Sequence, residues 1–202
     1  MRKMGLTGGI ASGKSTVAAM LREMGFPVLE ADLVAHELME PGQSAHDEIL
    51  REFGKELTDA NGRIDRAKLA GIVFADPAKL GKLNRIIHPR VEEITFRQFE
   101  AWERDGVSGA GFVAAALLVE AGFAAKLDGL VVTFCRPEQQ LERLRARGMS
   151  EVEARRRIAA QMPLEEKLKH ATERIDSSGT IEETRAQVEA LAGRLRGMSG
   201  KY

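Results

Sequence analysis

The sequence predicts an α/β protein: a parallel sheet flanked by helices, with a helical insertion and a short helical lid. Three observations carry this. Residues 8–15 read Gly8-Gly9-Ile10-Ala11-Ser12-Gly13-Lys14-Ser15, which meets the phosphate-binding pattern G-x-x-x-x-G-K-[ST] at every fixed position. Short apolar runs at 4–7, 27–31, 111–115 and 129–134 read as strands, the first two joined by a helical pattern in a βαβ unit. From about 40 to 104 no strand pattern appears, and the span reads as successive helices.

The first strand is Met4-Gly5-Leu6-Thr7. The helix after the loop, over 16–24, places Val17, Ala18, Met20, Leu21 and Met24 on one face. Strand, Gly-rich loop and helix are the context the motif requires. Glycines at 8, 9 and 13 let the backbone bend into a nest whose N–H groups converge on phosphate oxygens. The helix starting near Gly13 adds its positive end. Lys14 reaches the β- and γ-phosphates as a point charge, and Ser15 offers a hydroxyl to Mg²⁺. The expected ligand is a nucleoside triphosphate.

Composition agrees with a single-chain enzyme. The 202 residues carry 30 Lys and Arg against 30 Asp and Glu, so the basic excess expected of a nucleic-acid partner is missing. A single cysteine, Cys135, excludes an internal disulfide and fits a reducing, cytoplasmic compartment. The first strand occupies the N-terminus, leaving no room for a leader, and the longest apolar run, 112–119, is too short to span a bilayer. No membrane partner is expected.

The first helix ends at Gly25. A second strand over 27–31 closes a βαβ unit and delivers Asp32 to the sheet edge that the phosphate loop also leaves. A carboxylate there suits a γ-phosphate and an incoming hydroxyl; Asp32 equally suits the N-cap of a helix over 33–38. Pro41-Gly42 breaks the chain and Asn61-Gly62 marks a turn. Asp65 caps a helix over 66–74, and Asp76-Pro77 opens another toward His88, with Leu80, Leu83, Ile86 and Ile87 inward. His88-Pro89 is expected to break or kink that helix before the next, 91–102. His88 alone reads as a structural hydrogen-bonding residue, with no metal set around it. This insertion is where a phosphotransferase would grip its acceptor.

The third strand, 111–115, ends in alanines where many phosphate-loop enzymes hold a magnesium-binding aspartate; the first acid is Glu120. The fourth strand is 129–134. An amphipathic helix over 138–147 carries Leu141 and Leu144 inward and Arg143 and Arg147 one turn apart. Ser150-Glu151-Val152-Glu153 starts a helix bearing Arg155, Arg156 and Arg157, which ends before Pro163. An Arg-rich hairpin after strand four suits a phosphate-closing lid, because the guanidinium fork pairs with phosphate oxygens. A solvated face of Glu–Arg pairs accounts for most of these arginines. A last strand at 174–176, a turn at 177–179 and a helix over 181–195 capped by Thr180 complete the chain.

Taken together, these motifs resemble the dephospho-coenzyme A kinase family along nearly the whole chain. The carrying residues are Leu6 through Thr16, Ala31-Asp32 with Glu40-Pro41-Gly42, Leu83 through Pro89, Leu117-Leu118-Val119-Glu120, Gln140 through Leu144, and Arg157 to Gln161. The resemblance implies a three-layer α/β/α core of the P-loop NTPase type at 1–35, 105–147 and 169–202. It implies a helical acceptor domain at 36–104 and a lid at 148–168. It implies transfer of a phosphoryl group from ATP to the 3′-hydroxyl of dephospho-coenzyme A, with Mg²⁺. Carried over, Gly8, Gly9, Ile10, Ala11, Ser12, Gly13, Lys14, Ser15 and Thr16 hold ATP, and Ser15 faces the metal. Asp32, Lys14 and Arg143 or Arg147 serve the chemistry; Thr7, Asp32, His88, Leu117, Leu118 and Glu120 meet the acceptor. A monomer or weak homo-oligomer is expected.

Three positions depart from the family pattern: Ala116 replaces a proline, Ala114 an acid, and Ser177 an asparagine. The rival expectations are another small-molecule P-loop kinase acting on a nucleoside or nucleotide, and a non-catalytic nucleotide switch. The switch lacks the Asn-Lys-x-Asp motif that reads guanine.

Overall fold

A computed structural model describes residues 1–197. The chain runs β1 (Arg2–Gly8), α1 (Lys14–Glu23), β2 (Val28–Glu30), α2 (Ala31–Glu37), α3 (His46–Phe53), α4 (Arg66–Phe74) and α5 (Pro77–Arg104). It continues through β3 (Ala110–Ala114), β4 (Gly129–Phe134), α6 (Pro137–Ala146), α7 (Glu151–Ala159), α8 (Leu164–Lys169), β5 (Glu173–Asp176) and α9 (Ile181–Gly197). Short 3₁₀ turns lie at Lys55–Leu57 and Phe123–Lys126. Two units emerge: Met1–Glu30 with the chain from Phe99 onward, and Ala31–Gln98. Of the expected core segment 169–202, residues 198–202 lie outside the described residues.

The first unit is built on a five-stranded sheet of order β2-β3-β1-β4-β5 with every pairing parallel. β1 lies between β3 and β4, with Leu6 opposite Ala114 on one side and Val131 on the other. The chain leaves β1 toward one edge and later builds the other, so the strand order reverses at β1. In open α/β sheets the carboxyl end of such a strand faces the ligand crevice. Met4 through Gly8 are all buried, which explains why β1 reads as a continuous apolar run and not an alternation.

One face of the sheet is covered by α1 and α9. Val17, Leu21, Val188, Leu191 and Leu195 pack with Leu6, Phe112, Val131 and Ile175 in a single core. Phe26 meets Phe112 edge to face at 5.9 Å, and the Arg196 guanidinium lies over the Phe26 ring at 5.2 Å. The expected caps form: Thr180 Oγ1 accepts the Glu183 N–H at 3.2 Å while Glu183 returns a carboxylate to the Thr180 N–H at 2.8 Å.

The second unit is helical, as its sequence predicts. Asp65 and Asp76 accept from the first N–H groups of α4 and α5. Two local expectations are corrected. Asp32 is not an N-cap, because α2 begins at Ala31 and places Asp32 in its first turn. Helix α5 does not end at His88-Pro89 but continues through the proline. A proline removes one N–H and crowds the carbonyl four residues back, yet the long apolar stripe keeps both halves of the helix packed. Ile86, Ile87, Val91, Thr95 and Phe99 are buried along it. Arg90 donates to Ile86 O at 2.6 Å within the disturbed turn and reaches Glu48 on α3 at the same distance.

Candidate active site

The phosphate loop leaves β1 at Gly8 and enters α1 at Lys14. Its shape depends on two residues in the left-handed region, Ala11 at φ 59° and Gly13 at φ 88°. Gly13 meets this requirement at no steric cost, whereas Ala11 holds a conformation that side chains disfavour. A Cβ on Gly8 would collide with the side chains of Ser12 and Thr133, so the backbone passes closer there than any other residue allows.

What holds the loop is a ring of side chains outside it. Gln140 Nε2 donates to Ile10 O at 2.8 Å, and Gln161 Oε1 accepts the Ile10 N–H at 2.8 Å, so the two peptides flanking Ile10 are each held by one glutamine. Arg143 donates to Ala11 O at 3.1 Å, and to Ser177 Oγ and Ser177 O at 3.1 and 2.6 Å. Ser177 Oγ donates in turn to Ser12 O at 3.0 Å. Beneath the loop, Thr133 Oγ1 donates to Thr7 O and lies 2.9 Å from Ser12 Oγ. Cys135 is buried beside Ala11 O, and that burial pushes its thiol pKa up, keeping it protonated.

Lys14 Nζ lies 3.6 Å from Glu30 Oε2 at the end of β2, and Arg22 pairs with the other oxygen at 2.8 Å. Ser15 and Thr16 open α1 and are exposed. On the far side of β1, Thr7 Oγ1 and Lys167 Nζ both donate to Ala116 O, at 3.1 and 2.6 Å. Lys167 also pairs with Glu120 at 2.9 Å. Leu118 is buried and Leu117 exposed in this segment after β3.

In the helical unit, Asp32 is exposed two residues beyond the end of β2. His88 is half-buried on α5. Burial lowers its pKa, against a smaller opposing effect of Glu92 one turn on, so the ring is neutral at pH 7.

The family model for dephospho-CoA kinase matches residues 2–183. The chain belongs to the dephospho-CoA kinase family. A Bacillus cereus dephospho-CoA kinase is 45% identical over 189 residues, covering 93% of this chain and 94% of that protein. A solved structure from Thermus thermophilus aligns with TM-score 0.83 at 36% identity over 96% of this chain and 97% of its own. The dephospho-CoA kinase of Campylobacter jejuni aligns with TM-score 0.73 at 25% identity, over 97% of this chain and 98% of its own. These likenesses establish the P-loop kinase architecture that the loop and sheet display.

Of the residues expected from sequence in this kinase family, Thr7, residues 8–16, Glu120 and Arg143 all lie in the first unit, around the carboxyl ends of β1 and β3. Arg143 serves a purpose that its helical spacing concealed: its fork is occupied by the loop carbonyl and the turn after β5. Thr133, Ser177, Glu30 and Lys167 were missed as contributors. Thr133 and Ile10 are far apart in sequence, and only strand register brings β4 beneath the loop. Lys167 looks like one more surface lysine of an amphipathic helix, yet its side chain is 0% exposed.

Proposed function

We propose that this chain transfers the γ-phosphoryl group of ATP to the 3′-hydroxyl of dephospho-coenzyme A, yielding coenzyme A and ADP, the last step of coenzyme A synthesis. Family membership over residues 2–183, with an intact phosphate loop, carries this reading. In the transfer, the hydroxyl oxygen forms a bond to the γ-phosphorus while the bond to the β–γ bridging oxygen breaks. The hydroxyl proton passes to Asp32, the acid just beyond β2. Such transfer asks mainly for positioning and charge neutralisation. Residues 8–16 supply backbone donors, and Lys14 moves from Glu30 onto phosphate oxygens. Arg143 adds its charge from its bracing position, and Arg147, exposed at the end of α6, meets the transferring phosphoryl group. His88, Thr7 and the 117–120 segment shape the acceptor site, with 36–104 as acceptor domain and 148–168 as lid.

Magnesium fits this donor set. Among the described residues no group of three or more His, Cys, Asp or Glu side chains could hold a metal ion by itself. Mg²⁺ bound to ATP keeps phosphate oxygens and waters and takes few protein ligands, which the Ser15 hydroxyl satisfies. When bound, the ion neutralises charge on the β- and γ-phosphates. We also read the protein as cytoplasmic, on its free buried cysteine, and as a monomer or weak homo-oligomer. Among the described residues no helix is long and apolar enough to cross a membrane.

The test is ADP release with Mg²⁺-ATP over dephospho-coenzyme A, adenosine, AMP, CMP and no acceptor, with product mass measured. Stimulation by dephospho-coenzyme A alone, giving a product heavier by one phosphoryl group, is expected. Turnover of a nucleoside or nucleotide in its place would refute the acceptor assignment. Asp32→Asn is expected to lower kcat by about 10²- to 10⁴-fold, the range of a positioned acid or base, with Mg²⁺-ADP affinity retained.

A further inference from the structure

The turn joining α7 to α8 is fastened to two loops of the first unit at once. Gln161 Oε1 takes the N–H of Ile10 at 2.8 Å, and the next backbone N–H, of Met162, donates to Glu120 Oε1 at 3.1 Å. Glu120 is itself held by Lys167 at 2.9 Å, and Lys167 also donates to Ala116 O. The Lys167 side chain is 0% exposed and that of Glu120 22% exposed. A continuous polar path therefore runs from the α8 ammonium through Glu120, Met162 and Gln161 to the phosphate loop.

Such a pair is a poor source of net stability, because desolvating two charges offsets most of their attraction. What it supplies is geometry. Buried Lys167 spends its ammonium on Ala116 O and the Glu120 carboxylate, tying the segment after β3 to α8. The turn is then pinned on one side by Glu120 and meets the loop on the other. At the loop the contact is well placed: Ile10 precedes Ala11, the residue held at a positive φ, and Gln140 holds the next peptide through Ile10 O. Loosening the turn releases one of the two grips on Ile10, and a loop that must be ordered on binding binds more weakly.

We propose that Lys167 and Gln161 are positioning residues for the nucleotide, Gln161 by bracing the loop at Ile10 and Lys167 by holding the turn that carries Gln161. The inference rests on the reading of residues 8–16 as the nucleotide site. The Lys167 ammonium bonds to Ala116 O and Glu120, outside those residues, so its influence on nucleotide passes along the turn.

The experiment is calorimetric titration of the full chain with Mg²⁺-ADP, with thermal melts in parallel, for wild type, Gln161→Ala, Lys167→Met and the double variant. Each single change is expected to weaken binding by about five- to tenfold. The double variant is expected to bind within about twofold of the weaker single, because both changes cut one path. A purely structural Lys167 would lower the melting temperature and leave the affinity of the folded protein alone; that result overturns the proposal. So do multiplying losses in the double variant, or Gln161→Ala binding as tightly as wild type. Should Lys167→Met not fold, Lys167→Gln takes its place, keeping a donor for Ala116 O without the charge. A wild-type chain that binds no Mg²⁺-ADP overturns the nucleotide-site reading, whereas normal wild-type binding with unaffected variants overturns the positioning roles alone.

Discussion

Replacing Arg143 by lysine keeps a positive charge beside the phosphate loop and removes the fork that spans Ala11 O, Ser177 Oγ and Ser177 O. An ammonium on a flexible stem satisfies one of those three acceptors in the same geometry, so two charge-assisted hydrogen bonds are lost. At about 1.5 kcal/mol each, reduced by roughly a third for partial exposure, the loss is about 2 kcal/mol. For a chain of 202 residues this lowers Tm by about 4–8 °C. The affinity for Mg²⁺-ADP should weaken along with it, since the Ala11 peptide loses its outer support. Calorimetric melts, ADP titration and steady-state kinetics on the same preparation distinguish this brace from a direct clamp on the transferring phosphoryl group. A clamp would leave Tm unchanged and lower kcat by about 10³-fold or more. An unshifted Tm together with that collapse in kcat would show that the fork leaves its carbonyls to act on substrate, and the bracing role would be wrong.

Thr133→Val is nearly isosteric and fully buried, so it tests the hydroxyl alone. It deprives Thr7 O and Ser12 Oγ of their shared partner and should destabilise the first unit by about 1–3 kcal/mol in denaturant melts. A loss below about 0.5 kcal/mol would mean that Ser12 finds another partner at once. His46 presents both ring nitrogens to acceptors, Asp47 Oδ1 and Gly62 O, each at 2.9 Å, which calls for two ring protons. The Asp47 hydrogen bond accordingly raises its pKa above the ordinary 6.5. A raised folded-state value stabilises fully below 6.5 and is lost as pH rises through the folded value. Melting temperatures should thus decline as pH climbs above 6.5, and His46→Gln should flatten that decline; an unchanged slope would remove His46 as its source. His88 has the opposite sign: burial lowers its pKa, so its contribution is present above 6.5 and lost as pH falls through the folded value. Melts of His88→Asn should lose that acid-side decline, and an acid limb identical to wild type would contradict it.

The sequence by itself determined whatever depends on local pattern. The phosphate loop was legible because its glycines, lysine and serine meet backbone and charge requirements within eight residues of chain, Gly8 to Ser15. The five strands of the sheet, the helical insertion and the caps at Asp65, Asp76, Ser150 and Thr180 were legible for the same reason: each is set by residues near one another in the chain. Even local signals failed where packing overrode them, as at Pro89, where the apolar stripe of α5 holds together a helix that its own backbone disfavours.

Only the tertiary structure decided what supports the loop. Gln140, Arg143, Gln161 and Ser177 reach loop atoms from more than a hundred residues away along the chain. Nothing in their spacing separates them from an ordinary helix face or turn. Parallel strand order brings them together, because β4 lies beside β1 and β5 beside β4, and both deliver their following segments to the same carboxyl edge as β1. The same closure buries Lys167 among groups that no helical periodicity could have named, since burial depends on what packs against a face and not on the face alone.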